Sequence, residues 1–369
     1  MKILILNWRD VKNPTSGGAE ILTQEIAKRW VKLGHEVTQF SSIFPGCKKE
    51  ETIDGIKIIR RGRSDVRYFF TSVHFLAFLY YWREARGKFD IVIDEVHGIP
   101  FFTPWYVKEK KVVLICEVAG SLWVRIFGKF FGTLGVITEK FYLRYVYTSI
   151  PYFTISESTK KDLIRNGIKE DCITVLPMGI NVIGDVKSEK KEGELTLIFV
   201  GRLMRTKGIE DTLFALKEIH KHNPHAKLWI VGRGDKKYEA FLKKMTKDLD
   251  ISDHVDFFGF VSEKKKFDLL SRSHFLIHPS IHEGFGLTIP EAGSVGTPVI
   301  AYNSPGLRDI VKNNKNGILL SKNSPEIMAI EVLRVLHDAS LYRVLCKGAK
   351  EEAKQYNWDI TAKVALSGF

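Results

Sequence analysis

The sequence predicts an α/β protein built from two Rossmann-like, doubly wound parallel-sheet domains that face each other across a cleft. Three observations predict this fold. The chain has 369 residues, 44% of them hydrophobic, which is enough for two domains of similar size. Short, nearly all-apolar runs alternate with amphipathic segments, as expected of strands covered by helices on both faces. The alternation stops in a polar stretch at 184–193 and then starts again.

The first half opens with a βαβ unit and continues with further parallel strands. The predicted elements are a strand over 2–7, a glycine loop over 14–18, a helix over 19–33, and strands over 36–41, 91–93, 112–116 and 152–155. We place the N-terminal domain at 1–182 and a C-terminal domain at 183–350.

The second half repeats the pattern. The predicted elements are a strand over 195–200, a basic loop over 201–208, a helix over 209–223, and strands over 227–231, 255–258, 275–278 and 298–302. Ligands of open α/β sheets bind at the carboxyl ends of the strands, so we expect the active site in the cleft between the domains. A dehydrogenase is a rival, but no GxGxxG follows either first strand, and Gly232-Arg233-Gly234 is only half of one.

Glu283 and Glu291 give the strongest functional signal. Glu283 lies in a predicted loop over 280–286, and Glu291 lies on a predicted helix over 287–295. Gly284 and Gly286 leave room for a phosphate beside the unpaired N–H groups of a helix start, which favours a diphosphate. The carboxylates would accept hydrogen bonds from sugar and ribose hydroxyls. Alternatively, Glu283 is a solvated loop residue and Glu291 a charge favoured by the helix dipole.

Two further loops follow strands. Arg202 and Lys207 lie in the basic loop, where cations would neutralise a departing diphosphate; alternatively, they are solvated charges. Gly17 and Gly18 open the first helix, so their backbone can approach a phosphate or sugar, although an ordinary helix start fits equally well. The segment 258–261 is a weaker candidate for flanking a nucleobase.

Charge and cysteine content restrict the partners and the compartment. The net charge of +13 indicates anionic partners, which include nucleic acid, anionic lipid and phosphorylated substrates. Nucleic acid is the weakest of these because the charge is distributed and no recognition motif is present. Four cysteines lie far apart without a CxxC pair, which fits a reducing cytoplasm and argues against a zinc knuckle. The first residues fit a strand rather than a signal peptide.

Two aromatic stretches, 66–82 and 121–150, each contain eight Phe, Tyr and Trp residues. Neither reads as a membrane span, since both are interrupted by charged or polar residues and a span takes about 20 mostly apolar residues. A basic, aromatic-rich surface helix would lie among lipid headgroups, whereas the alternative is that these aromatics are ordinary core.

In this order along the chain, the motifs resemble those of the retaining nucleotide-sugar-dependent glycosyltransferases of family 4 (glycosyl transferases group 1), which have the GT-B fold. The resemblance covers nearly the whole chain. It is carried by Gly17-Gly-Ala-Glu20, Ser156-Glu-Ser158, Pro177-Met-Gly179-Ile-Asn181, Phe199-Val-Gly-Arg202 to Lys207-Gly208, Val231-Gly-Arg-Gly234, Phe258-Gly-Phe-Val261 and the pair Glu283 and Glu291.

The resemblance implies a role for each candidate residue. Glu283, Arg202 and Lys207 would be catalytic: the two cations would bind the donor diphosphate and Glu283 the donor sugar, while Glu291 would bind the ribose. The remaining donor-binding residues would be Gly17, Gly18, Gly232, Phe260, Val261, Gly284, Phe285, Gly286 and Leu287. Of these, Gly17 and Gly18 would line the cleft from the acceptor domain. No metal and no cofactor are expected. The segment 351–369 resembles the terminal helix that returns to the first domain.

One position departs from the family pattern. The family usually has a histidine near the reacting carbon after the strand at 112–115, and this chain has Cys116 and Glu117 there. Either the role is vacant, or Glu117 or the nearby His97 substitutes. The alternative for His97 is a structural hydrogen-bonding residue, which a lone histidine more often is. In the front-face mechanism proposed for retaining members, the departing phosphate takes the acceptor proton. The protein then mainly orients the substrates and neutralises the charge on the departing phosphate.

Our hypothesis from the sequence is a cytoplasmic retaining hexosyltransferase. It would move a sugar from a UDP- or GDP-sugar to a hydroxyl of a glycan or lipid-linked acceptor, in peripheral contact with the inner face of the cell membrane and without a nucleic-acid partner. The rivals are a nucleotide-sugar epimerase of the same architecture and a non-catalytic nucleotide-sugar-binding partner protein, which the missing histidine would favour.

Overall fold

A computed structural model describes residues 1–65, 69–181 and 190–369. The chain divides into two compact units, which are Met1–Gly179 with Asn357–Phe369, and Ile180–Tyr356. The predicted boundary at 182/183, most of the polar stretch at 184–193 and the beginning of the aromatic stretch at 66–82 lie outside the described residues.

The described residues form fourteen β-strands. They are β1 (Lys2–Leu6), β2 (Glu36–Ser41), β3 (Glu50–Ile53), β4 (Ile56–Arg60), β5 (Ile91–Val96), β6 (Lys110–Ile115), β7 (Tyr152–Thr154), β8 (Ile173–Val175), β9 (Thr196–Val200), β10 (Lys227–Val231), β11 (Val255–Gly259), β12 (Phe275–His278), β13 (Val299–Ala301) and β14 (Gly317–Leu319).

The same residues form twelve α-helices. They are α1 (Gly18–Lys32), α2 (Val73–Tyr80), α3 (Leu122–Phe141), α4 (Glu157–Arg165), α5 (Ile209–His220), α6 (Lys236–Asp248), α7 (Glu263–Arg272), α8 (Thr288–Ser294), α9 (Leu307–Ile310), α10 (Pro325–His337), α11 (Ala339–Ala353) and α12 (Trp358–Ser367).

The first unit is built on an eight-stranded sheet of order β3-β4-β2-β1-β5-β6-β7-β8. Every neighbouring pair is parallel except β3 and β4. The central strands are buried along most of their length, as their apolar sequences require. Asn7, His97 and Cys116 therefore follow three adjacent parallel strands and share one edge of the sheet.

The C-terminal helix α12 belongs to the first unit and packs against α1. The Trp30 indole donates a hydrogen bond to the Ala362 carbonyl (3.0 Å). Position 179 must be glycine beside this helix, because a Cβ there would lie 2.3 Å from the Trp358 ring. The last helix thus closes the apolar surface of this unit.

The second unit is built on a six-stranded, all-parallel sheet of order β11-β10-β9-β12-β13-β14. Its core is formed by apolar side chains from the strands and from the helices that cover them, such as Leu197, Ile230, Leu216, Phe275 and Val332. The first strand β9 lies between β10 and β12. The loops after β9 and β12 consequently begin side by side.

The prediction of two parallel-sheet α/β domains is confirmed, with most strand ends within one or two residues. The main correction is at β5, which extends to Val96 and places Asp94 and Glu95 inside a buried strand. The predicted helix over 209–223 ends at His220, and the helix over 287–295 spans Thr288–Ser294. The sequence interpretation missed β3, β4, β8 and β14.

Candidate functional site

The loops after β9 and β12 form the centre of the candidate site in the second unit. Ile281 donates a backbone hydrogen bond to the Thr206 carbonyl (3.1 Å), which ties the two loops together. Gly208 has a φ of +69°, and a Cβ there would lie 2.4 Å from the Pro279 carbonyl oxygen. Only glycine lets the loops approach this closely. The approach brings Lys207 and Glu283 together.

Lys207 and Glu283 form a mostly buried ion pair. The Lys207 Nζ lies 2.5 Å from Glu283 Oε1, and the two side chains are 18% and 14% exposed. The Ser280 hydroxyl donates to the same carboxylate oxygen (2.9 Å). Burial would raise the pKa of Glu283, but the Lys207 ammonium outweighs it and holds that pKa at about 2. Glu283 is therefore a permanent hydrogen-bond acceptor at neutral pH.

His278, at the end of β12, completes this cluster. Its Nε2 lies 3.7 Å from Glu283 Oε1. Burial lowers the pKa of His278 to about 4, and the nearby Lys207 acts in the same direction. The imidazole is therefore neutral at pH 7. His278 and Ser280 were not predicted as site residues, although both lie in the segment that carries Glu283.

The glycines predicted to admit a phosphate also have structural roles. Gly286 has a φ of +94°, and a Cβ there would lie 2.9 Å from Leu307. Gly284 and Phe285 are buried, and the Phe285 ring contacts Tyr356 edge-on at 5.7 Å. Leu287 caps the seven-residue helix α8. At its first position, the buried Thr288 hydroxyl has no hydrogen-bond partner among the described residues.

Glu291 lies on α8 and is paired with a lysine that the sequence did not single out. Its Oε1 lies 2.9 Å from Lys266 Nζ on α7, and each side chain is 13% exposed. Burial raises the pKa of Glu291 despite this ammonium group. Glu263 also contacts Lys266, at 3.0 Å, from a largely exposed position. Lys266 thus fixes the carboxylate that the sequence assigns to a ribose.

The ends of β9, β10 and β11 hold the other predicted donor-binding residues. The Arg202 side chain is exposed, in the same loop as Lys207. Gly232 is required by packing, since a Cβ there would lie 1.8 Å from the Gly201 carbonyl oxygen. Phe260 is 73% exposed, and the Arg233 guanidinium lies 5.9 Å from its ring centre, while Val261 is half-buried. The Phe260 ring therefore presents a flat aromatic surface at the strand ends.

The first unit has a second polar cluster at the carboxyl edge of its sheet. Gly17 and Gly18 begin α1, and the Gly17 N–H donates to Glu20 (2.6 Å). Glu20 also pairs with Arg9, with 3.0 Å between Nε and Oε1. Burial opposes the charge of Glu20, but the neighbouring His97 and Arg9 leave its pKa lowered. The glycine loop is therefore attached to charged groups at the end of β1.

Glu95 lies at the centre of that cluster. Its buried carboxylate accepts hydrogen bonds from the Asn7 amide and from the Thr23 hydroxyl (2.6 Å for the latter). Burial raises the pKa of Glu95. His97 Nε2 lies 3.5 Å from Glu95 Oε2, and the His97 ring stacks on Trp8 with 5.6 Å between ring centres. Stacking on Trp8 restrains the His97 ring beside Glu95, and its buried Nε2 makes no hydrogen bond to any described residue. The sequence interpretation had not included Glu95 or Asn7.

Among the residues that the structure describes, no cluster of three His, Cys, Asp or Glu side chains could hold a metal ion. In the same residues, no helix is both long enough and apolar enough to span a bilayer.

Family models match both halves of the chain. The model for Glycosyltransferase Family 4 matches residues 16–182, and the model for glycosyl transferases group 1 matches residues 184–352. The chain belongs to glycosyltransferase family 4.

Relatives and solved structures agree with this assignment. An uncharacterized glycosyltransferase of Methanocaldococcus jannaschii is 28% identical, over all of this chain and 97% of that protein. Sucrose-phosphate synthase of Thermosynechococcus elongatus has a TM-score of 0.81 at 18% identity, over 99% of this chain and 97% of the other. HepE of Anabaena, in complex with UDP and glucose, has a TM-score of 0.76 at 16% identity, over 100% and 99%. The likeness shows that this glycosyltransferase has the GT-B fold.

The departure after β6 can now be located. In this glycosyltransferase Cys116 is half-buried, and burial together with nearby carboxylates raises the pKa of its thiol well above the usual value. A neutral thiol is a poor nucleophile and a weak hydrogen-bond donor. Glu117 is exposed. His97, which follows the neighbouring strand β5, is the better-oriented side chain of the three.

Proposed function

We propose that this glycosyltransferase transfers a sugar from a UDP- or GDP-sugar to an acceptor hydroxyl with retention of anomeric configuration. The observation that carries the proposal is the Lys207–Glu283 pair at the carboxyl edge of the second sheet. It combines a cation suited to a diphosphate with a permanent acceptor suited to sugar hydroxyls.

The donor would be held by groups that the fold has already positioned. The Lys207 ammonium and the Arg202 guanidinium contact the diphosphate, Glu283 accepts hydrogen bonds from the transferred sugar, and Glu291 accepts them from the ribose. The exposed Phe260 ring supports the base by stacking. The UDP bound in the complex of HepE supports a uridine donor.

The reaction breaks the bond between the anomeric carbon and the diphosphate oxygen and forms a bond from that carbon to the acceptor oxygen. Negative charge develops on the departing diphosphate, and the acceptor proton passes to that group. Preorganised cations lower the barrier because they meet this charge without reorganising. In our proposal Arg202 and Lys207 supply this neutralisation, so added divalent metal is not required.

The acceptor would be oriented by the first unit. Gly17 and Gly18 leave the start of α1 open to a sugar, and His97 lies beside Glu95 and stacks on Trp8 at the same sheet edge. We propose that His97 takes the place of the family histidine that is missing at Cys116. Its imidazole would hydrogen bond a sugar hydroxyl near the reacting carbon.

We propose a glycan or lipid-linked acceptor that the enzyme meets at the cytoplasmic face of the membrane. The exposed apolar side chains of α3, in the first unit, support this choice. A peripheral contact of this kind needs no spanning helix.

The proposal is tested with purified enzyme, a panel of UDP- and GDP-sugars, and a lipid extract as the source of acceptor. Thermal shifts identify the donor, and product analysis follows. Lys207→Ala and Glu283→Ala should abolish transfer while the fold persists. Lys221→Ala, which removes an exposed lysine paired with Glu218 in the same unit, is the matched control. Near-normal transfer by both site variants would refute the proposal.

Product analysis also distinguishes a transferase from the alternative, an epimerase. An epimerase would release nucleotide and an altered free sugar without an acceptor. A transferase gives an acceptor-dependent glycoside, whose anomeric configuration by NMR reports retention or inversion.

A further inference from the structure

The helix α3 is folded back on itself at Gly128. That residue has φ of 76° and ψ of 176°, a conformation that only glycine adopts readily. A Cβ added at Gly132 would lie 2.3 Å from the Cα of Val124, and one at Gly135 would lie 2.6 Å from the Trp123 ring. Residues so far apart along a straight helix would not touch. We call residues 122–141 the α3 hairpin, with its tip at Gly128.

The tip of the α3 hairpin is apolar and exposed. Phe130 is 80% exposed and Phe131 67%, and Phe127 is exposed beside them. Eight of the 23 exposed large hydrophobic side chains among the described residues lie between 126 and 145. A single exposed side chain of this kind is ordinary, whereas a contiguous set marks a surface that binds something apolar.

The charge around the tip is positive. Arg125 and Lys129 flank Gly128, and Lys140 and Arg144 follow; all four are exposed. The one acidic residue between 121 and 150 is Glu139, which is buried and accepts hydrogen bonds from the backbone N–H groups of Ala119 and Gly120 (2.9 and 2.7 Å). An apolar tip with a cationic rim is complementary to acyl chains beneath anionic headgroups. A second copy of the chain would bring like charges together.

The hairpin is attached to the loop that carries His97. A Cβ at Gly98 would lie 2.9 Å from the Trp123 ring, and the Tyr142 hydroxyl donates to the Gly98 carbonyl (2.9 Å). Trp123 therefore packs between the hairpin and the residue after His97. Because of this packing, any surface to which the tip binds lies close to the carboxyl edge of the first sheet.

We propose that the α3 hairpin docks the enzyme on anionic membranes, with Phe127, Phe130 and Phe131 inserted at the boundary of headgroups and acyl chains, and with Arg125 and Lys129 on lipid phosphates. Docking stands on the hairpin alone. Its use, which is to present the His97 edge to a lipid-linked hydroxyl, rests on the proposed function.

The test is cosedimentation of the full chain with vesicles of phosphatidylcholine alone or mixed with phosphatidylglycerol. We expect binding to the anionic vesicles only. The double variant Phe130→Ser with Phe131→Ser should bind these vesicles at least about tenfold more weakly than the wild type. The reason is that two apolar side chains no longer move from water into the membrane. Phe214→Ser with Phe241→Ser, at exposed positions in the second unit, should bind as the wild type does.

A charge variant tests the rim independently. Arg125→Gln with Lys129→Gln should lose the preference for anionic vesicles, and far-UV circular dichroism checks that each variant is folded. Equal binding by wild type and the phenylalanine variant would overturn the proposal. So would a wild type that ignores vesicles but dimerises through these phenylalanines, or that binds a protein there instead.

Failure of docking is distinguishable from failure of the proposed function. Nucleotide-sugar thermal shifts should be unchanged in the phenylalanine variant, since its substitutions lie in the first unit and the proposed nucleotide contacts lie in the second. Vesicle binding without any nucleotide-sugar shift in the wild type would refute the function and leave docking intact.

Discussion

Lys207 and Glu283 are joined across two loops that follow neighbouring parallel strands, with 2.5 Å between Nζ and Oε1. The pair depends on Gly208, which allows the two loops to meet. The Lys207 ammonium lowers the pKa of Glu283 and so keeps that carboxylate charged in a mostly buried setting. The enzyme therefore has both charges in place before a donor binds, which is the condition for electrostatic catalysis.

Lys207→Ala should lower kcat for transfer by about 100-fold or more, since one preorganised charge on the leaving group is lost. The variant also leaves the Glu283 carboxylate without its ammonium partner, so the pKa of Glu283 should rise. Donor turnover with saturating acceptor measures the first effect, and Lys221→Ala should behave as wild type.

Glu291→Ala should weaken donor binding by about 10- to 100-fold, the usual effect of losing a hydrogen bond to a charged acceptor. Calorimetric titration with the nucleotide diphosphate measures it. The control is Glu263→Ala, which removes the more exposed partner of Lys266. Equal losses in both variants would show that Glu291 acts only through Lys266.

His97→Ala should lower transfer by about tenfold or more, while Cys116→Ser should leave it nearly unchanged, because the half-buried thiol is neutral in the wild type. Glu117→Ala belongs in the same series. If the Glu117 variant is impaired and the His97 variant is not, the family histidine is replaced by Glu117. Cys116→His in the His97→Ala background should restore part of the activity.

Acid should destabilise the second unit through His278. Its pKa of about 4 in the folded chain is below the ordinary 6.5, so the unfolded chain binds a proton that the folded chain excludes. Stability is therefore lost as the pH falls from about 6.5 toward 4. Glu283, with a folded pKa of about 2, adds its loss only below its ordinary 4.5.

Urea unfolding at about pH 7 and about pH 5 checks this. The free energy of unfolding of the wild type should fall between about pH 7 and about pH 5, and in His278→Asn this fall should be smaller by about 2 kcal/mol. His222→Asn, at an exposed position of the same unit, should lose as much as wild type. Identical pH dependence in all three proteins would contradict the assignment.

The sequence predicted the βαβ framework because buried parallel strands are short apolar runs that need no knowledge of their neighbours. It missed the β3–β4 hairpin, although Asp54 and Gly55, both with positive φ, form the Asp-Gly turn that signals one. Glu50–Ile53 gives little signal because it is only half-buried and largely polar, whereas the apolar pattern of Ile56–Arg60 was overlooked.

The site was predictable in part. Glu283, Lys207 and Arg202 could be named because each follows a strand whose end is visible in the sequence. The partner of Glu291 could not, since Lys266 comes from a different helix and the pairing is set by packing of α7 against α8. Likewise, Glu95 lay beyond the predicted strand over 91–93, and only the sheet brings Asn7 and Thr23 to it. The reversal of α3 at Gly128 could not be predicted either, because it has no counterpart in the periodicity of the sequence.

A crystal of the enzyme soaked with its UDP- or GDP-sugar tests most directly whether Lys207, Arg202 and Glu283 hold the donor. We predict phosphate oxygens on the Lys207 ammonium and the Arg202 guanidinium, with the transferred sugar on the Glu283 carboxylate and the ribose on Glu291. A diphosphate bound away from Lys207 and the 283–291 segment would show that these residues do not form the donor site.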